Sequence, residues 1–272
     1  MALFVSSALI ITPSEVYPQT YPLIGWQNLV RFSNISTASS PTATPVTNLA
    51  NPNTDQVWAS ASTAEQLVTI SSLDDEVDYL AVARHNFGSA GIEISVETLS
   101  GEPGAVWEEV IAATLVADDS PLMLQWEAAT VIGVRLRLVP GATAPRAAVL
   151  YVGKSLRMMR GVQPGFTPIR DGMDVTIRNG RSEAGEFLGA IITGEQLSTV
   201  ADFRFLDADW YLSDMRGFVA AANRGAPFFW AWNPLDYPDE VGFCWLSSIA
   251  RPVKSQLTGE IDISLSMGGL AL

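Results

Sequence analysis

The sequence contains one cysteine and one histidine, and each scarcity excludes a class of chemistry. A single cysteine, Cys244, cannot form a disulfide within the chain, and its alternating apolar surroundings predict a small buried residue rather than a nucleophile. The lone His85 has no second histidine with which to share a metal, and no Gly-x-Ser-x-Gly motif supplies a partner serine. We therefore expect no catalytic residue, no metal site, no cofactor and no enzymatic activity, with His85 as a structural residue at a strand end.

Basic residues and long apolar runs are also scarce. The chain has 16 Lys and Arg against 29 Asp and Glu, and its net charge of -13 argues against nucleic acid as a partner. No stretch approaches the apolar length of a membrane span, so none is predicted. Residues 3–11 are apolar but lack a basic segment before them, because the first basic residue is Arg31. We expect an extended arm or strand within residues 1–20 rather than a signal peptide.

Hydrophobic residues make up 48% of the 272 residues, enough for a sizeable core, and they are arranged mostly in alternation. After a Ser-, Thr- and Pro-rich loop at 34–62, six or more short strands separated by turn residues occupy residues 66–154. Strict alternation, as at Ile92, Ile94 and Val96, is typical of antiparallel sheets with one wet face. Residues 21–154 are therefore predicted to form a jelly-roll β-sandwich.

The second half, residues 155–272, has a different pattern. Tyr211, Met215, Phe218 and Ala222 recur at spacings of three and four, which predicts a helix at about 209–223. Strand-like runs precede and follow this helix. The predicted fold is mainly β, with the N-terminal sandwich followed by a smaller β-rich (α+β) assembly domain that contains one helix.

Aromatic residues supply the candidate binding surfaces. Trp58 and Trp107 lie near loops of the first half, where an indole face can stack on a sugar ring, although filling the core is the favoured interpretation. The candidate carbohydrate site comprises Trp58, Arg84, His85 and Trp107. In the second half, aromatic side chains on both faces of one strand predict burial on both sides, one of them by a neighbouring subunit. The candidate interface residues are Phe228, Phe229, Trp230 and Trp232.

Three stretches of the first half resemble a galactose-binding-like (discoidin-type) jelly roll. They are residues 48–60, with Asn51, Pro52 and Trp58, residues 79–86, with Arg84, His85 and Asn86, and residues 134–137, with Arg135 and Arg137. This resemblance implies a sandwich of carbohydrate-binding ancestry.

The chain as a whole is similar to tail proteins of long-tailed phages and prophages. The stretches that carry this similarity are residues 21–26, 83–88, 151–157, 179–183 and 227–232. The similarity implies a structural virion protein of the tail tip or baseplate, in the position of a distal tail protein, made in the host cytoplasm and located in the virion tail. Its implied partners are copies of itself in a ring and other tail tube or baseplate proteins. The alternative is a carbohydrate-binding adhesion module that contacts a host surface glycan.

Overall fold

The chain folds almost entirely into β-strands, as the alternating patterns predict. The computed structural model describes residues 3–5, 18–254 and 259–270. Within these ranges it contains two large sheets, a two-stranded sheet, one helix and two short 3-10 segments, Val46–Ala50 and Ile169–Asp171. The predicted mainly β fold with a β-sandwich and one helix is confirmed.

The strands are numbered in chain order. They are β1 (Leu3–Val5), β2 (Leu23–Gly25), β3 (Ile35–Ser36), β4 (Trp58–Ala59), β5 (Gln66–Ala83), β6 (Glu93–Leu99), β7 (Glu108–Leu115), β8 (Leu122–Val139), β9 (Arg146–Ala147), β10 (Val149–Gly153), β11 (Leu156–Arg157), β12 (Met173–Arg181), β13 (Phe187–Leu206), β14 (Phe228–Ala231), β15 (Val241–Leu246), β16 (Val253–Lys254) and β17 (Ile261–Gly269). Of the predicted N-terminal arm at residues 1–20, the structure describes residues 3–5, which form β1, and residues 18–20; residues 1–2 and 6–17 lie outside the described ranges.

Strands β5 and β8 organise the first large sheet, whose main path runs in the order β10-β5-β8-β6-β7. These two strands pair along most of their length, but the register shifts twice within residues 71–79, and such bulges bend a strand. One half of the pair has β6 beside it, and the other half has β10 and β1. The two halves therefore lie in opposite layers of a sandwich, and Ile70 from one half and Leu80 from the other share a single core.

The second large sheet has the order β11-β2-β14-β15-β17-β13-β12, with β16 beside β17. Strand β2 precedes the sandwich in sequence but pairs with β14, where Ile24 lies opposite Trp230. The chain thus begins this sheet, builds the sandwich and then returns to complete the sheet. The predicted sandwich at 21–154 therefore needs one correction, because Leu23–Gly25 belong to the other sheet; the remaining domain limits stay predictions.

A separate apolar cluster joins the sandwich to the second sheet. Alternation along β5 places Leu80 and Val82 in the sandwich core and turns Tyr79 and Ala81 to the opposite side. There they meet Phe229 of β14. The molecule is consequently a stack of three β-layers, and the sandwich and second sheet share buried apolar contacts.

This stacking changes the interpretation of the aromatic strand β14. Phe228, Phe229 and Trp230 are all fully buried, with Phe229 against the sandwich and the other two toward the helix. The prediction that they contact a neighbouring subunit is wrong, because the chain's own sandwich covers the face assigned to the subunit. Trp232 is only half-buried and stacks on Tyr237, with ring centroids 4.8 Å apart.

The predicted helix is present at residues 208–222, with a π-helical turn at Tyr211–Met215 between Ala208–Trp210 and Arg216–Ala222. The Asp207 carboxylate caps its start by accepting hydrogen bonds from the backbone amides of Asp209 and Trp210. The helix packs its apolar face on the second sheet. The buried side chains are the predicted Tyr211, Met215, Phe218 and Ala222, together with Val219. No helix in the described part of the chain is long and apolar enough to cross a membrane.

Candidate functional site

Strand β5 ends in a sharp turn that presents two of the predicted site residues. Arg84 has a backbone φ of +57°, a left-handed conformation that few non-glycine residues adopt and that ends the strand after Ala83. The following Asn86 fixes the adjoining loop, because its side-chain amide donates to the Ala144 carbonyl (3.0 Å) and accepts from the Arg146 amide (2.9 Å). Strained residues of this kind often occur where a fold presents a ligand-binding group.

His85 is buried beside this turn, and its contacts define which nitrogen of the imidazole ring carries the proton. Its Nδ1 accepts a hydrogen bond from the Phe87 backbone amide (3.2 Å), and its ring stacks on Phe87 at 4.5 Å between centroids. Burial lowers the pKa of His85 to about 4, although the Ser120 carbonyl and the Asp119 carboxylate act in the opposite direction. The imidazole is therefore neutral at pH 7, with its proton on Nε2. This Nε2 is buried and has no hydrogen-bond partner of normal geometry among the described residues.

His85 lines a polar cleft of about 370 Å³ between the turn, the 54–57 loop and the loop before β8. The charged groups in its wall are Arg84, Arg146, Asp55 and Asp119. Both Asp119 oxygens accept hydrogen bonds from Ser89, one from its amide (2.9 Å) and one from its hydroxyl (2.6 Å). Neither arginine forms an ion pair within the described ranges. The cleft therefore offers guanidinium and imidazole donors beside carboxylate acceptors.

The two predicted tryptophans do not join this cleft. Trp58 is fully buried in the sandwich core and donates from Nε1 to the Ser39 carbonyl (2.9 Å), so the favoured interpretation, core filling, is confirmed and the alternative role as an exposed sugar platform is wrong. Trp107 is half-buried over Gly133, and the Arg135 guanidinium lies 4.5 Å from its ring centroid. Of the four predicted carbohydrate-site residues, the structure brings together Arg84 and His85 only.

A second functional candidate, not anticipated from the sequence, is the hairpin of β12 and β13. β13 pairs with β17 from Leu197 onward, so among the described strands residues 187–196 pair only with β12. This ribbon projects from the sheet and carries several large apolar side chains that are 52–69% exposed. They are Met173, Ile177, Phe187, Leu188, Ile191 and Ile192.

The register of the hairpin concentrates most of these side chains on one face. Residues paired across two antiparallel strands project from the same side. Met173 pairs with Leu197, Ile177 with Ile192, and Asn179 with Ala190, whereas the intervening pair Asp174 and Gln196 projects from the other side. The hairpin therefore has an apolar face and a more polar one.

Within the described ranges no group of three or more His, Cys, Asp or Glu side chains is placed to hold a metal ion. The cleft and the hairpin are both suited to binding through non-covalent contacts.

No protein-family model matches this chain, and no curated protein matches it. Several solved structures are similar to just under half of it. The chitosan-binding module 1 from a chitosanase/glucanase of Paenibacillus sp. IK-5 is 15% identical, with 46% of this chain and 98% of the module covered and a TM-score of 0.40. The family 32 carbohydrate-binding module of Clostridium perfringens NanJ, in complex with galactose, is 12% identical over 48% of this chain and 98% of the module, with a TM-score of 0.38. A Ruminococcus gnavus GH29 fucosidase in complex with fucose is 13% identical over 47% of this chain and 27% of the enzyme, with a TM-score of 0.40. These likenesses do not bear on the resemblance to phage tail proteins, which stays a prediction.

Proposed function

We propose that this protein is a structural subunit that assembles with copies of itself into a ring, in the tail tip or baseplate of a long-tailed phage as its sequence resemblance implies. The proposal is carried by one observation, the projecting β12–β13 hairpin with its uncovered apolar face. A two-stranded ribbon is marginally stable in water, and exposed apolar patches mark contact surfaces. The proposed role needs no catalytic step.

The exposed isoleucines give the scale of the contact. Ile177 and Ile192 are 52% and 56% exposed and lie opposite each other. Burying an isoleucine side chain completely is worth about 1.5–3 kcal/mol, so covering the exposed half contributes about 1 kcal/mol each. The pair then strengthens association by about 2 kcal/mol, roughly 30-fold in the association constant.

The edges of the hairpin favour a head-to-tail arrangement. The outer edge of β12 and the outer edge of residues 187–196 of β13 have no neighbouring strand among the described residues. β12 carries Arg178 and Arg181 with one acidic residue, Asp174, whereas residues 187–196 carry Glu195 and no basic residue. Unlike edges with opposite charge suit a heterologous contact, and such a contact closes into a ring when the rotation between copies permits.

The test compares two double variants of the hairpin. Ile177→Ser with Ile192→Ser removes a cross-strand pair from the apolar face, and Asp174→Ser with Gln196→Ser removes a pair from the other face. Sedimentation velocity over a concentration series should show that the first variant loses assembly and the second retains it. Both should melt near the wild-type temperature, because all four side chains are exposed.

A wild-type chain that stays monomeric at high concentration, and forms no annular particles in electron micrographs with or without tail-tube protein, would argue against the proposal. The place in the virion needs a separate experiment. Antibody labelling of intact particles should mark the junction between the tail and its tip, and labelling of the head would contradict the assignment.

A second candidate function is binding of a host surface glycan in the cleft at Arg84 and His85. The observation in its favour is the buried Nε2 donor of His85, which has no hydrogen bond of normal geometry, since such a polar group is costly unless a ligand or water completes its hydrogen bonding. A glycan array should give saccharide hits that Arg84→Ala abolishes. An array without hits would reject this candidate and leave the assembly proposal intact.

A further inference from the structure

The polar cleft continues beyond the sandwich onto the second sheet. Thr54, Asp55 and Arg84 line both the His85 cleft and an adjoining depression of about 390 Å³. The far wall of this depression includes Glu195 at the hairpin base and Trp245 at the end of β15. One ligand longer than a single sugar can therefore contact both layers.

Trp245 is arranged as a flat apolar platform. It pairs with Gly268 on β17, and a Cβ atom built on Gly268 would lie 2.9 Å from the indole Nε1, 3.1 Å from Cε2 and 3.4 Å from Cζ2. The indole thus lies against the Gly268 backbone, and glycine is the residue that admits it there. The side chain stays 38% exposed, so part of the indole is free to receive the apolar C–H face of a sugar ring.

The charged groups of the cleft indicate a neutral polyhydroxylated ligand. In the His85 cleft Arg84 and Arg146 balance Asp55 and Asp119, and in the adjoining depression Glu195 adds one negative charge, so the continuous cleft has no excess of positive charge. A hydroxyl group both donates and accepts, and it can bridge a guanidinium or an imidazole N–H to a carboxylate. An anionic ligand would instead meet these three carboxylates and a chain of net charge -13.

We propose that a neutral oligosaccharide binds across the junction, with one sugar unit stacked on Trp245 and the next hydrogen-bonded to Arg84 and His85. This inference rests on the glycan-binding candidate above and adds to it a subsite supplied by the second sheet. The shared wall residues place the two subsites in one continuous cleft.

Titration calorimetry with glucose-, galactose- and N-acetylglucosamine-based saccharides of one to four units tests the proposal. For at least one series, the disaccharide should bind about tenfold more tightly than the monosaccharide, a difference of about 1.4 kcal/mol. Trp245→Ala should remove that gain, and Trp245→Phe should retain part of it. Arg84→Ala should weaken binding of every chain length.

Trp107→Ala is the matched control, because Trp107 is also a partly exposed tryptophan but lies outside the cleft. It should bind saccharides as the wild type does. Equal affinity for mono- and disaccharide, unaffected by Trp245→Ala in a variant that melts like the wild type, would overturn the bridging subsite while glycan binding stands. Failure of every saccharide to bind the wild type would overturn the glycan candidate and this inference together.

Discussion

Phe229 links the two halves of the molecule, and its truncation should weaken both. The side chain is fully buried between the layers, with its ring centroid 5.4 Å from that of Tyr151 in the sandwich and 5.0 Å from that of Phe243 in the second sheet. Replacing a buried phenylalanine by alanine costs about 3–5 kcal/mol, because the cavity closes only in part. Since natural domains are stable by about 5–15 kcal/mol, Phe229→Ala should remove a large fraction of the total.

The matched control is the adjacent residue on the same strand. Phe228 is also fully buried, but it faces the helix and the other core of the second sheet, 5.0 Å from Phe218 between ring centroids. Phe228→Ala should cost a similar free energy of unfolding. It should loosen the helix side first, whereas Phe229→Ala should loosen the interface with the sandwich.

Hydrogen exchange followed by mass spectrometry distinguishes these outcomes. In Phe229→Ala, amides of β10 and of the 79–83 part of β5 should exchange faster than in the wild type, and in Phe228→Ala they should change much less. Total free energies come from urea denaturation. If Phe229→Ala destabilises the second sheet and leaves exchange in β5 and β10 at the wild-type level, the interlayer cluster does not couple the halves and the reasoning fails.

Three further outcomes are expected. Trp58→Ala should cost about 3–5 kcal/mol in urea denaturation and Trp107→Ala clearly less, because Trp58 is fully buried; equal costs would contradict the placement of Trp58 in the core. Burial raises the pKa of the Cys244 thiol well above its usual range, so a thiol-specific dye should react only after unfolding, and rapid labelling of the native protein would refute this. Burial raises the pKa of Asp78 to about 6, from about 3.9 in the unfolded chain, so its contribution to stability is complete below about pH 4 and is lost as the pH rises through about 6. Asp78→Asn should therefore flatten the decline in urea midpoint between about pH 4 and pH 7, and an unchanged decline would assign it to other groups.

Local patterns were sufficient to predict the class of structure and the helix. The spacing of Tyr211, Met215, Phe218 and Ala222 defines one helical face, and all four are buried. Alternation along strands such as β6 was equally informative. These signals are local because one side of each element is buried and the other is exposed to solvent, so the apolar residues recur with the period of that element.

Which part of the chain covers a buried face depends on contacts between residues that are far apart in sequence, and local sequence patterns do not predict these contacts. The alternation in Phe228–Trp230 indicates two buried faces, but not that the second is covered by Tyr79 and Ala81 of the same chain. Strand β2 has three residues, too few for a periodic signal, and its partner Trp230 lies about 200 residues away. In the same way, the apolar alternation of Met173, Val175 and Ile177 resembles that of a core strand, although the hairpin projects into solvent.

The sequence predicts only some of the residues that line the cleft, because the others come from distant parts of the chain. Arg84 and His85 are predictable because they follow a strand end, but Trp245 lies about 160 residues further along the chain and belongs to no motif. Gly268 lies opposite Trp245 on the neighbouring strand, and its lack of a side chain leaves room for the flat indole. This glycine can be connected with Trp245 only when the register of β15 and β17 is known.

The positions of the hairpin and the cleft connect the two proposals. Glu195 belongs to the hairpin base and also lines the depression beside Trp245. A ring held together by the hairpins would therefore fix the orientation of every cleft, one for each subunit. Linked sites that bind a surface together gain avidity without new contacts, by factors of about 10²–10⁴ when the spacing allows simultaneous engagement. A cleft of weak monovalent affinity is then sufficient for attachment, and Ile177→Ser with Ile192→Ser should abolish binding to a glycan-coated surface while leaving the affinity for a soluble saccharide unchanged.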